Sequence, residues 1–253
     1  MSVGPPVNLP CTCDNLEPFL GFPENATLPA ECPEPLPSSA RPSLGQDPSM
    51  LYYGGLYIYA DVDFYQSVYI RVSPNKETIM TTGWHEVYRE PGPGPERDPD
   101  GSLRPFYTES PDINVYHDVE CNCDRFIIFY ASISRNILSV IRTAGNNPLG
   151  EWEYMGLLEG LEGYDPNLMF HPAGLYLLYS NFDELNIVRM SENQPWLRVS
   201  QPTTIAVPNE PWELQAGALI EAPAAIVIGG VANVIYSSNV YAQPSYASGA
   251  ASA

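Results

Sequence analysis

From Met50 onward the chain alternates short apolar and aromatic runs with breaks made of turn-forming residues. The runs at 51–60, 67–72, 126–133, 137–141, 168–180, 186–190 and 224–237 are rich in Val, Ile, Leu, Phe and Tyr, the residues that suit a pleated, half-buried surface. No window carries the three- and four-residue apolar spacing of an amphipathic helix, so the pattern predicts an all-β chain.

Four of these stretches read as copies of one unit: an apolar strand, a tight turn with Gly or a polar pair, then an aromatic-rich strand ending in Ala or Ser. They lie at 49–60, 123–132, 168–180 and 225–237, spaced by roughly 50 to 75 residues. A hairpin repeated at that interval, each time followed by further short strands, predicts propeller blades that bury their faces against one another. A β-sandwich whose hairpins merely share turn chemistry is the alternative, and the repetition favours the propeller. Residues 1–44 differ in character: they hold ten prolines and little periodicity, and read as an extended arm. The propeller is expected over 45–240 and a polar, alanine-rich, low-complexity tail over 241–253.

Composition narrows the class. Proline numbers 27 in 253 residues and Tyr outnumbers Lys 17 to 1, which argues against a helical bundle. The net charge of -19 would repel a polyanion, so nucleic acid is excluded as a partner and a neutral ligand is expected. The longest apolar run, 216–235, is interrupted by Glu221, Pro223, two glycines and Asn233, so no membrane-spanning segment is expected. No signal peptide is visible at the start, although Asn25-Ala26-Thr27 forms a glycosylation sequon suited to a secreted chain. The five cysteines (11, 13, 32, 121 and 123) allow one or two disulfides, while a zinc site from the two Cys-x-Cys pairs is the alternative.

Three carboxylates stand just ahead of a repeated hairpin, each followed by proline at one or two positions: Asp47-Pro48-Ser49, Asp165-Pro166-Asn167 and Glu221-Ala222-Pro223. The innermost strands of a propeller converge on one axis, so these sequence-distant acids are predicted to become neighbours. Taken singly, an Asp-Pro pair is more often a turn starter than a catalyst. Glu221 lies in the most apolar stretch of the chain, where burial would raise its pKa into the range useful to a general acid.

With these motifs in place, the stretch from about Arg41 to Ser237 resembles glycoside hydrolase family 43, five-bladed β-propellers with arabinofuranosidase and xylosidase activities. The resemblance rests on Asp47-Pro48-Ser49 with its apolar strand and Gly turn, on Asn147-Pro148-Leu149-Gly150-Glu151-Trp152-Glu153, and on Asp165 before its hairpin. It continues through Asn186-Ile187-Val188-Arg189-Met190-Ser191, Pro195-Trp196 and Pro211-Trp212-Glu213 to Glu221-Ala222-Pro223, similar to the family's Glu-Gly-Pro. The resemblance implies Asp47 as general base, Glu221 as general acid and Asp165 as the carboxylate that orients the acid and tunes its pKa. Inverting hydrolysis of that kind needs the base and acid about 6.5–9.5 Å apart. Trp84, Tyr116 and Tyr164 are the candidate sugar-stacking residues, whereas His117 and His171 stay outside the catalytic set.

The match departs from the family in three places. The Trp-Ala-Pro-Glu-like motif that opens the second blade would fall on Val115-Tyr116-His117-Asp118-Val119-Glu120, which lacks the Trp and the Pro. Ala222 stands where the family has Gly. No fifth blade is found, so a C-terminally incomplete propeller of about four blades is expected. The resemblance further implies no required cofactor, a structural calcium at most, a plant cell-wall oligo- or polysaccharide as partner, an extracellular location, and a monomer if the propeller closes. A non-catalytic remnant that binds carbohydrate and a protein-binding scaffold are the alternative readings.

Overall fold

The computed structural model describes residues 47–63, 67–90, 108–132, 136–241 and 243–252; the arm at 1–44, its sequon and Cys11, Cys13 and Cys32 lie outside them. Four antiparallel meanders make up the described chain. Sheet I is β1 (Ser49–Tyr53), β2 (Leu56–Val62), β3 (Ser67–Ser73) and β4 (His85–Arg89). Sheet II is β5 (Thr108–Asp118), β6 (Cys123–Ser132), β7 (Ile137–Thr143) and β8 (Trp152–Leu157). Sheet III is β9 (Tyr164–His171), β10 (Gly174–Asn181), β11 (Glu184–Met190) and β12 (Thr203–Ala206), and sheet IV is β13 (Ile220–Ile228), β14 (Val231–Ser238) and β15 (Ala247–Ser252). The first strands β1, β5, β9 and β13 run side by side in chain order, so the sheets are blades of an incomplete propeller around an axis lined by their first strands.

The second strands are apolar on both faces because each lies between neighbouring blades. Phe126, Ile127, Ile128, Phe129 and Tyr130 of β6 are all buried, and they divide between two cores. Ile128 and Tyr130 join Ile58, Val68 and Ile70 between sheets I and II, whereas Ile127 and Phe129 join Leu175, Leu177 and Val188 between sheets II and III. Each such side chain contributes about 1.5–3 kcal/mol by leaving water. A third core between sheets III and IV is built on Met169, Leu178, Leu185 and Ile220.

No comparable core joins sheets IV and I among the described residues. On sheet IV, Ile226, Ile228, Val231 and Ile235 share the face turned away from sheet III and are exposed. On sheet I, Met50 and Tyr52 are exposed, while Tyr59, Tyr69 and Arg71 on the same face are covered by the chain between β3 and β4.

Two readings of the chain need correction here. The second repeat, placed at 123–132, is β6 alone; its first strand is β5, beginning fifteen residues earlier. The alanine-rich residues 247–252, expected as tail, pair with Asn233–Ser238 of β14. Their small side chains make room for Trp212, whose ring lies 2.8 Å from where a Cβ on Gly249 would sit.

Candidate active site

Each first strand begins with a residue at positive φ followed by proline: Asp47 (φ 55°), Ser110 (51°), Asp165 (51°) and Ala222 (52°), ahead of Pro48, Pro111, Pro166 and Pro223. In sheets II, III and IV the pair forms a β-bulge. Ser110-Pro111 stands against the single residue Tyr130, Asp165-Pro166 against Tyr179, and Ala222-Pro223 against Tyr236. A bulge leaves its extra residue out of the ladder, and proline there removes a donor that would otherwise go unpaired. The bulge also bends the strand and turns the residue at positive φ toward the axis, at a conformational cost of about 1–3 kcal/mol for a residue other than glycine.

Two tiers of hydrogen bonds link these strands around the axis. In the upper tier the Ser110 hydroxyl donates to one oxygen of Asp165 and lies within hydrogen-bonding reach of Asp47. The other oxygen of Asp165 accepts the backbone N–H of Ala222 at 2.8 Å. Blades II to IV are thus tied in sequence through Ser110, Asp165 and Ala222, with Asp47 of blade I beside Ser110. Two residues further along each strand, the side chain accepts a backbone N–H from the next blade. Ser49 accepts from Ile113 at 3.3 Å, Asp112 from Leu168 at 2.6 Å and Asn167 from Ala225 at 2.9 Å. A cavity of about 310 Å³ runs between the strands at these levels, with Asp47, Asp112, Asp165 and Asn167 in its wall.

Glu221 does not occupy the position of Asp47 and Asp165. It lies one residue earlier, in register with Tyr164 of β9 and with a fourth acid, Glu109 of β5. Electrostatics bring these residues to the same space as the two aspartates. Burial, followed by the charges of Asp165 and Asp47, pushes Glu221 up to about 7, while the Tyr246 hydroxyl, within reach of its carboxylate, pulls the other way. Burial and the charges of Asp165, Asp47 and Glu221 push Glu109 up to about 7 as well. Asp165 is raised to about 6, mainly by burial, with the Ser110 and Ala222 hydrogen bonds opposing the shift. Burial also raises Asp47, against the effect of Ser110.

Of the three aromatic residues expected at the sugar, one is placed with the acids. Tyr164 is buried, and its hydroxyl pKa is raised by burial and then by the charges of Glu221, Asp165 and Glu109. The Ser180 hydroxyl beside it donates to the Ile220 carbonyl, which leaves the Tyr164 hydroxyl without a hydrogen bond among the described residues. Phe182, exposed at the β10–β11 turn, packs on the Tyr164 ring at 5.1 Å between centroids and offers an apolar platform that sequence reading missed.

Trp84 and Tyr116 are placed elsewhere. Trp84 packs on Tyr59 and Tyr69 with the Arg71 guanidinium 3.8 Å above its ring, closing the outer face of sheet I. Tyr116 is near the end of β5 far from Glu109, with its hydroxyl accepting from Arg142 at 2.9 Å and its ring edge on Trp196. Both serve packing. His117 pairs with Asp124 at 2.9 Å and His171 with the Gly230 carbonyl at 2.9 Å, likewise away from the acids.

The start of blade II also differs from expectation. The chain that opens it is Glu109-Ser110-Pro111-Asp112, with the proline present, Ser in place of Ala and Glu in place of Trp; the stretch 115–120 is the opposite end of the strand and its turn. Among the described residues no group of three or more His, Cys, Asp or Glu is arranged to hold a metal ion. Cys121 is disulfide-bonded and so is not available as a thiolate, which rules out the four-thiolate zinc alternative; Cys123 is buried. No helix is long and apolar enough to cross a membrane among the described residues.

No protein-family model matches the sequence, and no curated protein is a significant match. Solved structures do match. The chain is similar to an α-L-arabinofuranosidase from Lactobacillus brevis (TM-score 0.64, 19% identity, 81% of this chain and 66% of that one). It is similar to an endo-1,4-β-xylanase from Bacteroides thetaiotaomicron (TM-score 0.61, 18% identity, 83% and 69%). It is also similar to a thermostable family-43 glycoside hydrolase (TM-score 0.56, 20% identity, 82% and 68%). The chain has the β-propeller fold of these proteins and spans about two thirds of their length.

Proposed function

We propose that this chain is an inverting glycoside hydrolase acting on arabinofuranosidic or xylosidic bonds in neutral plant cell-wall saccharides. The observation that carries the reading is the meeting of Asp47, Asp165 and Glu221 at the head of three different blades, with Glu221 raised to about 7. A carboxyl group with that pKa holds its proton near neutrality and can release it to the leaving oxygen. Asp47, at the head of the first blade, takes a proton from the attacking water in this reading. Asp165 is held by Ser110 and the Ala222 N–H and places a negative charge beside the acid, which favours the protonated form. The reaction needs no cofactor in this reading.

The fold shared with an arabinofuranosidase and a xylanase supports the two sugar classes. The disulfide at Cys121 supports an oxidising, extracellular setting, since such bonds persist there. A second reading, a chain that binds saccharide without turnover, draws on the absence of a core between sheets IV and I among the described residues. Hydrolysis of p-nitrophenyl α-L-arabinofuranoside and β-D-xyloside, followed by proton NMR of the anomeric signal, separates them. Release of a sugar of inverted configuration supports the hydrolase; retained configuration contradicts the mechanism, and no release from either glycoside or from pentose trisaccharides leaves only the binding reading.

A further inference from the structure

Glu109 is an acid that the three assigned roles leave unused. It stands in register with Glu221, each one residue ahead of a positive-φ residue and proline in a bulged first strand, on the two blades that flank Tyr164. Its pKa is influenced by the charges of Asp165, Asp47 and Glu221, so its carboxylate faces the same space.

The other buried acids of the described chain are tied into the fold. Asp112 accepts from Leu168, Asn114 and Asn167, Asp118 pairs with Arg125 at 2.8 Å, and Glu213 accepts from Asn209, Glu210 and Tyr236. Glu109 is half-buried and makes no hydrogen bond or ion pair with a described residue. A desolvated carboxylate without a partner costs stability, and nothing in the packing repays it. Such a group is in place to accept hydrogen bonds from a ligand that arrives with its own donors. Every charge acting on it is a carboxylate, so an anionic ligand is repelled. The hydroxyl groups of an uncharged sugar meet both conditions.

We propose that Glu109 is a substrate-positioning carboxylate of this site, accepting hydrogen bonds from hydroxyls of a neutral pentose on the side of Tyr164 opposite Glu221. The proposal rests on the hydrolase reading and deepens it. Glu109 differs from the acid in having no hydroxyl donor beside it among the described residues, whereas Glu221 has Tyr246. It stands where the family-like motif has Trp, so an aromatic ring is exchanged for a directional carboxyl acceptor.

The test is calorimetric titration of arabinotriose and xylotriose into the full chain carrying Glu221→Gln, which cannot consume them, and into the same chain with Glu109→Gln or Glu109→Ala added. At pH 8, above the value of about 7 to which Glu109 is raised, the group is ionised, and a hydrogen bond to a charged group corresponds to about a tenfold to hundredfold in affinity, so at that pH the Ala chain should bind at least tenfold more weakly, with Gln intermediate. Thermal unfolding should not fall, since Glu109 holds no part of the fold. Equal affinity with and without Glu109, where the Glu221→Gln chain binds, overturns the positioning role alone. Weaker binding accompanied by an equal loss of thermal stability also overturns it, as a structural effect. A folded Glu221→Gln chain that binds neither trisaccharide sinks the pentosidase reading and this inference together.

Discussion

The backbone N–H of Ala222 donates to Asp165 at 2.8 Å, so the residue that follows Glu221 is fixed by the carboxylate that also tunes Glu221. Orientation and electrostatics therefore pass through one side chain. Asp165→Asn keeps an oxygen for Ala222 but removes the negative charge. In the proposed mechanism Glu221 acts in its protonated form, so activity should be lost as pH rises through its pKa, and removing the charge lowers that pKa. We expect the alkaline limb of the kcat/KM profile to move to lower pH and the rate at neutrality to fall by about tenfold or more. An unchanged limb would show that Asp165 does not act on the proton donor.

Tyr246→Phe should move the same limb in the opposite direction. Its hydroxyl, placed just ahead of β15, stabilises the ionised form of Glu221, so its loss raises the pKa of the acid. Activity should persist to higher pH, and circular dichroism should show the same fold. A shift to lower pH would contradict the placement of Tyr246 beside the acid.

The lower tier of blade-to-blade hydrogen bonds predicts a contrast between two substitutions at one position. Asp112→Ala leaves the Leu168 N–H without its acceptor and should cost about 1–3 kcal/mol, or roughly 2–12 °C in Tm for a chain of this size. Asp112→Asn keeps the acceptor and removes a carboxyl group that burial raises to about 6, so it should leave Tm at pH 8 unchanged or higher. Equal losses in the two variants would mean that the bond to Leu168 carries no stability.

Stability should rise on mild acidification. Asp112 and Asp165 are raised from 3.8 to about 6, and Glu109 and Glu221 from 4.5 to about 7. Between these limits the folded chain binds more protons than the unfolded one, so stability falls as pH increases through the window. The net charge of -19 acts in the same direction by self-repulsion. Asp124, Glu86 and Glu213 are shifted downward, and the stability they contribute is lost only at lower pH. Scanning calorimetry should therefore find Tm higher by a few degrees at pH 5 than at pH 8; the reverse order would contradict the burial of these acids.

Much of the architecture was legible in the spacing of apolar runs. Second strands such as β6 and β10 lie between two blades and need apolar residues on both faces, which writes a conspicuous signal into the sequence. Asp47 and Asp165 stood out because both precede proline at the same point of a repeat. The offset of Glu221 was hidden, since a bulge adds a residue without changing composition. Ser110-Pro111 escaped notice for a related reason: Glu109 and Ser110 replace the Trp and Ala of the family-like motif, leaving only the proline as a marker. That proline, following a residue at positive φ as Pro48, Pro166 and Pro223 do, is the signal that would have found Glu109. Trp84 and Tyr116 were misplaced because a propeller spends most of its aromatic side chains on faces between and outside blades, and composition does not separate those from a sugar platform.

In the proposed hydrolase Glu221 donates the proton and Asp47 activates the water. p-Nitrophenolate leaves with little help from an acid, whereas a sugar hydroxyl does not leave without protonation. Initial rates on a p-nitrophenyl pentoside and on the matching pentose trisaccharide should therefore be compared for the wild-type chain, Glu221→Gln and Asp47→Asn. Asp47→Asn should lose at least about a hundredfold on both substrates, while Glu221→Gln should lose that much on the trisaccharide and far less on the p-nitrophenyl glycoside. Equal loss on both substrates in Glu221→Gln, or trisaccharide turnover that survives it, would contradict the assignment.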